Sequence, residues 1–123
     1  MKTATTIARI FLGLIFVVFG VNAFLHFLPM PPMKGLSAQF MGALFQSHYL
    51  YAIKCFEISG GLLLLLGRYI PLGLTLLGPV IVNILFFHIF LDATGLPLAL
   101  IISALALFLL VRYRSAFAGL LTK

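Results

Sequence analysis

Four long apolar segments, joined by short polar connections, account for most of this 123-residue chain. Each has about the 17 to 25 residues that a helix needs to cross a hydrocarbon core roughly 30 Å thick. The segments are residues 5–27, 49–67, 72–91 and 96–113. Their apolar residues are continuous and do not alternate with polar ones, which favours helices over membrane β-strands. The pattern predicts an all-α integral membrane protein, a four-helix bundle of up-down topology.

The connection between the first two segments is the longest, and it has a pattern of its own. Pro29, Pro31 and Pro32 prevent a continuous helix there, whereas apolar residues recur at helical spacing over 36–46. We predict that this stretch forms a short amphipathic helix at the membrane interface. It can act as an anchored connector or as a lid over the space between the helices, and we favour the connector.

Composition agrees with a membrane location. The chain is 63% hydrophobic and 8% charged, with a mean hydropathy of +1.25. A soluble domain of this length could not cover its surface with so few polar residues. Four crossings use most of the chain, so we expect residues 1–123 to form a single transmembrane domain. The uncharged stretch after Arg9 is longer than a usual signal-peptide core, and we expect the first segment to be retained as a helix.

The basic residues are distributed unevenly about the membrane. Six of them fall on the side of the four-helix serpentine that carries both termini: Lys2, Arg9, Arg68, Arg112, Arg114 and Lys123. Only Lys34 falls in a loop on the opposite side, so both termini are predicted to be cytoplasmic. We expect the net charge of +6 to serve contact with membrane lipid. Nucleic acid is not expected as a partner, because no basic run stands on a soluble face.

Only two acidic residues occur, Glu57 and Asp92, and Glu57 lies inside the second apolar segment, three residues after Lys54. A charge in hydrocarbon is costly and is retained mainly where it has a function. We expect the Glu57 carboxyl to be protonated, or to be neutralised by Lys54, His26 or His88. The alternative is that Lys54 and Glu57 form a buried pair that only fixes the helix register.

Rare polar residues of three helices fall at a similar depth. At 1.5 Å per residue they lie roughly 5 to 14 Å below the outer surface of the hydrocarbon core. They are Asn22, His26, Lys54, Glu57, Asn83 and His88. Asn22 and His26 are four residues apart and are predicted to share a helix face. We interpret this layer as a ligand-binding or proton-exchanging pocket in the outer half of the bilayer.

Several kinds of chemistry suit such a pocket. A quinone is one candidate ligand, because its oxygens take up protons when it is reduced. A binding or transport protein for protons or a small lipophilic molecule stays open, as does a membrane lipid enzyme that uses Glu57 and a histidine as acid and base. His26 and His88 admit a haem or metal site in principle, but no tight ligand motif supports one, so haem is disfavoured and no metal is expected.

Two motifs give the chain a family resemblance. The first is Arg9-x-x-x-Gly13, at the start of the first helix. The second is Glu57-Ile58-Ser59-Gly60-Gly61-Leu62, which a leucine run and Gly67-Arg68 follow. With these motifs, and with its hydropathy over nearly the whole length, the chain resembles the DoxX-like family of small four-helix bacterial membrane proteins.

The resemblance implies a multi-pass protein of the bacterial inner membrane. That family is similar in part to a subunit of a thiosulfate:quinone oxidoreductase, and other members are associated with membrane oxidative-stress complexes. It therefore implies an accessory or quinone-interacting subunit that works with a redox protein partner.

Glycines favour close helix packing, and a bundle with glycine-rich faces suits a homo-oligomer. The glycines expected to pack in this way are Gly13, Gly20, Gly60, Gly61, Gly67, Gly73 and Gly78.

Overall fold

The computed structural model describes residues 2–30 and 32–122, and within them the chain forms five α-helices and no strand. The helices are α1 (Lys2–Leu25), α2 (Gly35–Gln46), α3 (Tyr49–Leu66), α4 (Ile70–Phe90) and α5 (Leu96–Arg112). Short 3-10 segments follow α4 and α5, at Ala93–Gly95 and Arg114–Leu121. Pro31 of the proline-rich connection and Lys123 of the basic set lie outside the described residues.

The predicted fold class is confirmed. In the described part of the chain, four helices are long and apolar enough to cross a membrane, and they coincide with the four apolar segments of the sequence. Their ends lie within three residues of the predicted ones. The segment predicted at the interface over 36–46 forms α2.

The four long helices pack as a closed ring, in which α3 and α5 flank α1, and α4 completes the circle. At one end of the ring, Nε of Arg112 donates a hydrogen bond to Oγ1 of Thr5 at 3.1 Å, so α5 ends beside the start of α1. We call this the basic end. At the other end α2 packs on α3, and the rings of Phe40 and Phe87 lie 5.7 Å apart. We call that the α2 end.

Glycines allow α1 and α3 to cross with their backbones nearly touching. A Cβ atom added to Gly13 would lie 2.7 Å from the carbonyl oxygen of Gly61, and one added to Gly61 would lie 2.9 Å from that of Gly13. Gly60 approaches Gly73 of α4 in a similar way. In lipid there is little hydrophobic drive between helices, so close van der Waals contact of this kind holds them together.

Two of the glycines do not pack helix against helix as predicted. Gly67 ends α3 in the left-handed conformation, with φ at 70°, and its backbone N–H donates to the carbonyl of Leu63. Gly78 meets no described atom within 4 Å of an added Cβ, so the expectation that it packs closely was wrong. Its position in α4 faces away from the neighbouring helices.

Arg9 provides a second fastening between α1 and α3. Its guanidinium reaches from α1 to the end of α3 and donates hydrogen bonds to the carbonyls of Leu64 and Leu65. The last carbonyls of a helix have no partner within the helix, and they carry the negative end of its dipole. A cation at this position gives the carbonyls a hydrogen-bond donor and balances the dipole. Arg9 and Gly13 lie one turn apart on α1, and both contact α3.

The substitution Gly13→Ala is expected to destabilise the protein by about 1–3 kcal/mol, since the added methyl group overlaps the Gly61 carbonyl oxygen. Gly78→Ala is the matched control, because its added methyl group enters open space and gains up to about 1 kcal/mol of helix propensity. Unfolding by SDS titration in neutral detergent, followed by circular dichroism, measures both. Equal stability of the two variants would contradict the close crossing.

Candidate functional site

Lys54 and Glu57 form an ion pair inside the bundle. Nζ of Lys54 donates to Oε1 of Glu57 at 3.2 Å, across one turn of α3. The Glu57 side chain is 5% exposed and the Lys54 side chain 19%. The structure therefore brings together the two residues that the sequence marked as the centre of a site, with the carboxylate deeper than the ammonium group.

The packing of α3 explains why Glu57 points inward. Glu57 precedes Gly60 by three residues and Gly61 by four, so all three lie on one side of the helix. An added Cβ on Gly60 would meet Leu77 of α4, and one on Gly61 would meet Val17 of α1. The face that carries Glu57 is thus directed between α1 and α4, into the interior of the ring.

The level of Glu57 along the bundle follows from its neighbours. Its neighbour Ile58 contacts Gly20 of α1, which sets the level of the charge pair along the bundle. The core residues of α1 all precede Gly20, on the side of the basic end. Together the core cluster comprises Ala8, Leu12, Phe16, Leu64, Leu74, Leu77, Ile81, Ile102 and Leu109. On α3, Glu57 lies between Leu64 of this cluster and Leu50, which is buried nearer the α2 end, and about 12 Å from the first residue of the helix at 1.5 Å per residue.

Asn22 is buried, but its hydrogen bonds are local. Its Oδ1 accepts from the backbone N–H of Leu28 at 2.7 Å, and its Nδ2 donates to the Leu28 carbonyl at 3.2 Å. This pair of bonds fixes the chain as it leaves α1. His26 lies between them in the left-handed conformation, with φ at 52°, and it is exposed. The shared helix face predicted for Asn22 and His26 does not form, because α1 ends at Leu25.

The polar residues of α4 are also satisfied near their own positions. Asn83 is exposed, and its Nδ2 donates to the Pro79 carbonyl at 2.8 Å. Nδ1 of the half-buried His88 lies 2.9 Å from the backbone oxygen of Asp92. The Asp92 carboxylate accepts instead from the backbone N–H of Thr94 at 3.2 Å.

Of the six predicted residues, Lys54 and Glu57 form a pair, and the other four do not take part in it. Within residues 2–30 and 32–122, no hydrogen bond or ion pair joins Asn22, His26, Asn83 or His88 to Glu57. In the same ranges, no group of three or more His, Cys, Asp and Glu residues is arranged to hold a metal ion. The candidate site is thus the ion pair of Lys54 and Glu57.

Sequence reasoning missed the structural role of Arg9, which was used as one of the basic residues that set orientation and as part of the family motif. The available signal was an arginine one turn before a glycine, inside a segment otherwise apolar. Such a cation needs partners at that depth, and the carbonyls that end a neighbouring helix are the nearest source of them.

Asn22→Ala is expected to lower the free energy of unfolding by about 1–3 kcal/mol, because it leaves both backbone groups of Leu28 without their partner. Asn83→Ala is the control, since that side chain is exposed and bonds only to a carbonyl of its own helix. The same detergent unfolding titration compares them. A loss no larger for Asn22→Ala than for Asn83→Ala would contradict a structural role for Asn22.

Comparison with known proteins supports the resemblance seen in the sequence. A model of the DoxX family matches residues 4–89, which include Arg9, the crossing glycines and the ion pair, whereas α5 lies beyond the match. No curated protein and no solved structure matches the chain. Because the family match covers more than half of the chain, this multi-pass membrane protein belongs to the DoxX family.

Proposed function

We propose that this protein is an accessory, quinone-interacting subunit of a membrane redox system, in which Lys54 and Glu57 exchange protons with the ligand. The observation that carries the proposal is the burial of a carboxylate in a membrane-spanning helix, held by a single lysine. Such groups are costly in hydrocarbon and occur mainly in proton relays and ligand sites.

The hydrogen bonding of Glu57 supports an ion pair that exchanges protons or binds a ligand over one that is purely structural. In the described part of the chain, the Lys54 ammonium is the hydrogen-bond partner of the carboxylate, and it bonds to Oε1. A structural buried pair is stable only when its remaining lone pairs are also satisfied. Among the described residues, no hydrogen bond to Oε2 accompanies the one that Oε1 accepts. Oε2 is available to a proton or to a polar ligand group.

Each residue of the pair has a distinct task in this proposal. A quinone supplies the reversible uptake of two electrons and two protons, and the electrons come from a redox protein partner. Lys54, the more exposed of the two, donates a hydrogen bond to a ligand oxygen that approaches from the lipid. The Glu57 carboxylate takes up a proton, passes it to the ligand and returns to the carboxylate that Lys54 stabilises, and a second round of this transfer supplies the second proton.

A carrier for protons or for a small lipophilic molecule is the second candidate. The different exposure of the two partners favours it, because protons can pass from the surface to Lys54 and then to the deeper Glu57. A membrane lipid enzyme is less well supported. It needs a second acid or base beside Glu57, whereas Nδ1 of His88 lies beside the backbone oxygen of Asp92 and His26 is exposed beyond the end of α1.

We also propose that the protein lies in the bacterial inner membrane with both termini in the cytoplasm. The basic end carries Lys2, Arg9, Arg68, Arg112 and Arg114, whereas Lys34 precedes α2 at the opposite end. An excess of Lys and Arg is typical of cytoplasmic connections. On this orientation the α2 end faces the outer side, and Glu57 lies in the outer half of the membrane.

A double-mutant cycle measures how much the ion pair contributes to the stability of the protein. Lys54→Met leaves the Glu57 carboxylate without its partner, and should lower the free energy of unfolding by on the order of 3 kcal/mol. The double variant with Glu57→Leu should recover most of that loss, because it removes the uncompensated charge. Detergent unfolding titration gives the four stabilities. A double variant as unstable as Lys54→Met would argue against the pairing.

Mass spectrometry of co-purifying lipophilic molecules tests the function directly. We expect a quinone with the wild-type protein and roughly a tenfold lower amount with Glu57→Gln, which keeps the side-chain shape but loses the charged acceptor. Asp92→Asn is the matched control, since it changes the only other acid and leaves the pair intact. Equal quinone in all three proteins would overturn the proposal. No quinone in any of them, with Glu57-dependent proton flux in liposomes, would favour the carrier.

A further inference from the structure

The outward side of α4 carries a polar side chain that the interior of the bundle does not use. Exposed residues recur there at helical spacing, and we call them the outer face of α4: Leu72, Thr75, Pro79, Val82, Asn83 and Phe86. Asn83 lies about 10 Å from the end of this membrane-spanning helix, at 1.5 Å per residue. A polar group directed at lipid from that depth is costly unless it has a hydrogen-bond partner.

The amide of Asn83 has unused capacity for hydrogen bonds. An asparagine side chain has two N–H donors and a carbonyl oxygen with two acceptor positions. Among the described residues, the hydrogen bond of this side chain is the one from Nδ2 to the Pro79 carbonyl, at 2.8 Å. The second N–H and Oδ1 are therefore left for a group outside the chain. Acyl chains offer neither a donor nor an acceptor.

Pro79 places a second polar group on the same side of α4. A proline has no N–H, so the carbonyl four residues earlier loses its usual donor within the helix. That carbonyl belongs to Thr75, which is exposed, and the Thr75 hydroxyl donates to the Pro71 carbonyl at 2.8 Å. In membranes a neighbouring helix commonly supplies the partner that such a carbonyl lacks. The outer face of α4 thus has the features of a helix-packing surface, although no helix within residues 2–30 and 32–122 covers it.

The glycines that favoured a homo-oligomer in the sequence are already used inside the bundle. Gly13 and Gly61 join α1 to α3, and Gly60 and Gly73 join α3 to α4. Contact between copies must therefore use a different surface. The outer face of α4 lies outside the ring and away from the ion pair, so its role is independent of the proposed function.

We propose that two copies of this chain pair through the outer faces of α4, with Asn83 of each copy hydrogen-bonded to Asn83 of the other. Copies that cross the membrane in the same direction are related by a two-fold axis along the membrane normal, which brings equal residues together at equal depth. Because an amide both donates and accepts, Nδ2 of each copy donates to Oδ1 of the other. A second copy thus satisfies Asn83 on its own, and Asn side chains join membrane helices in this way.

The test is fluorescence energy transfer between donor- and acceptor-labelled copies of the full-length protein in phosphatidylcholine liposomes, over a range of protein-to-lipid ratios. The wild type should show a monomer–dimer equilibrium. Asn83→Leu should raise its dissociation constant roughly tenfold, because two hydrogen bonds are lost per dimer. Asn83→Gln keeps a donor and an acceptor and should retain most of the affinity. Ser59→Ala, which removes a polar group exposed on α3, is the matched control and should leave the dimer unchanged.

Disulfide cross-linking in the same liposomes locates the contact. In a Cys55→Ser background, Phe86→Cys should cross-link on oxidation, whereas Leu107→Cys, exposed on α5, should not. In SDS micelles, which separate the copies, Asn83→Leu should unfold over the same SDS range as the wild type, so that a loss of transfer reports association and not folding.

Three results would overturn the proposal. The first is energy transfer no greater than that of randomly distributed copies at every ratio, which would show that lipid covers the outer face of α4. The second is an equal dissociation constant for the wild type and Asn83→Leu. The third is an equal loss of affinity in Ser59→Ala, which would assign the contact to α3.

Discussion

The structure depends above all on the close crossing of α1 and α3. Gly13 and Gly61 let the two backbones approach until each glycine meets the carbonyl oxygen of the other. Arg9 fastens the same helices one turn away, at the carbonyls that end α3. This contact sets the register of α3, and the register directs Glu57 toward the interior and Ile58 toward Gly20. The motifs that define the family resemblance are thus, in large part, the parts of one helix–helix contact.

The ion pair takes its character from that register. Glu57 lies on the same face as the packing glycines, so it cannot turn toward lipid without disrupting the contact that holds α1 and α3. Lys54, three residues earlier, keeps part of its side chain exposed. The arrangement joins a deeply buried acceptor to a more accessible donor, and the proposed proton exchange depends on this asymmetry.

Much of the fold could be predicted, because hydropathy along a chain reports directly on which segments cross a membrane. The charge pair was predictable for a related reason, since a spacing of three brings side chains together on any helix. The polar layer could not be predicted, because the depth of a residue in the membrane does not determine the direction in which its side chain points. Asn83 has the depth of a site residue, yet it is exposed and bonds to Pro79 of its own helix. His26 was assigned to a helix face, whereas α1 ends one residue before it.

The position of the α1–α3 fastening has a mechanical consequence. Both contacts that hold the helices, the glycine crossing and Arg9, lie on the same side of Glu57. Beyond Glu57 the helices meet through the stacked rings of Phe24 and Tyr51, whose centroids are 4.9 Å apart. Ring stacks separate and re-form more readily than backbones in direct contact. The α1–α3 contact is therefore closest between Glu57 and the basic end, and on the other side of Glu57 it is made by side chains, which leaves that half of the interface the more deformable one.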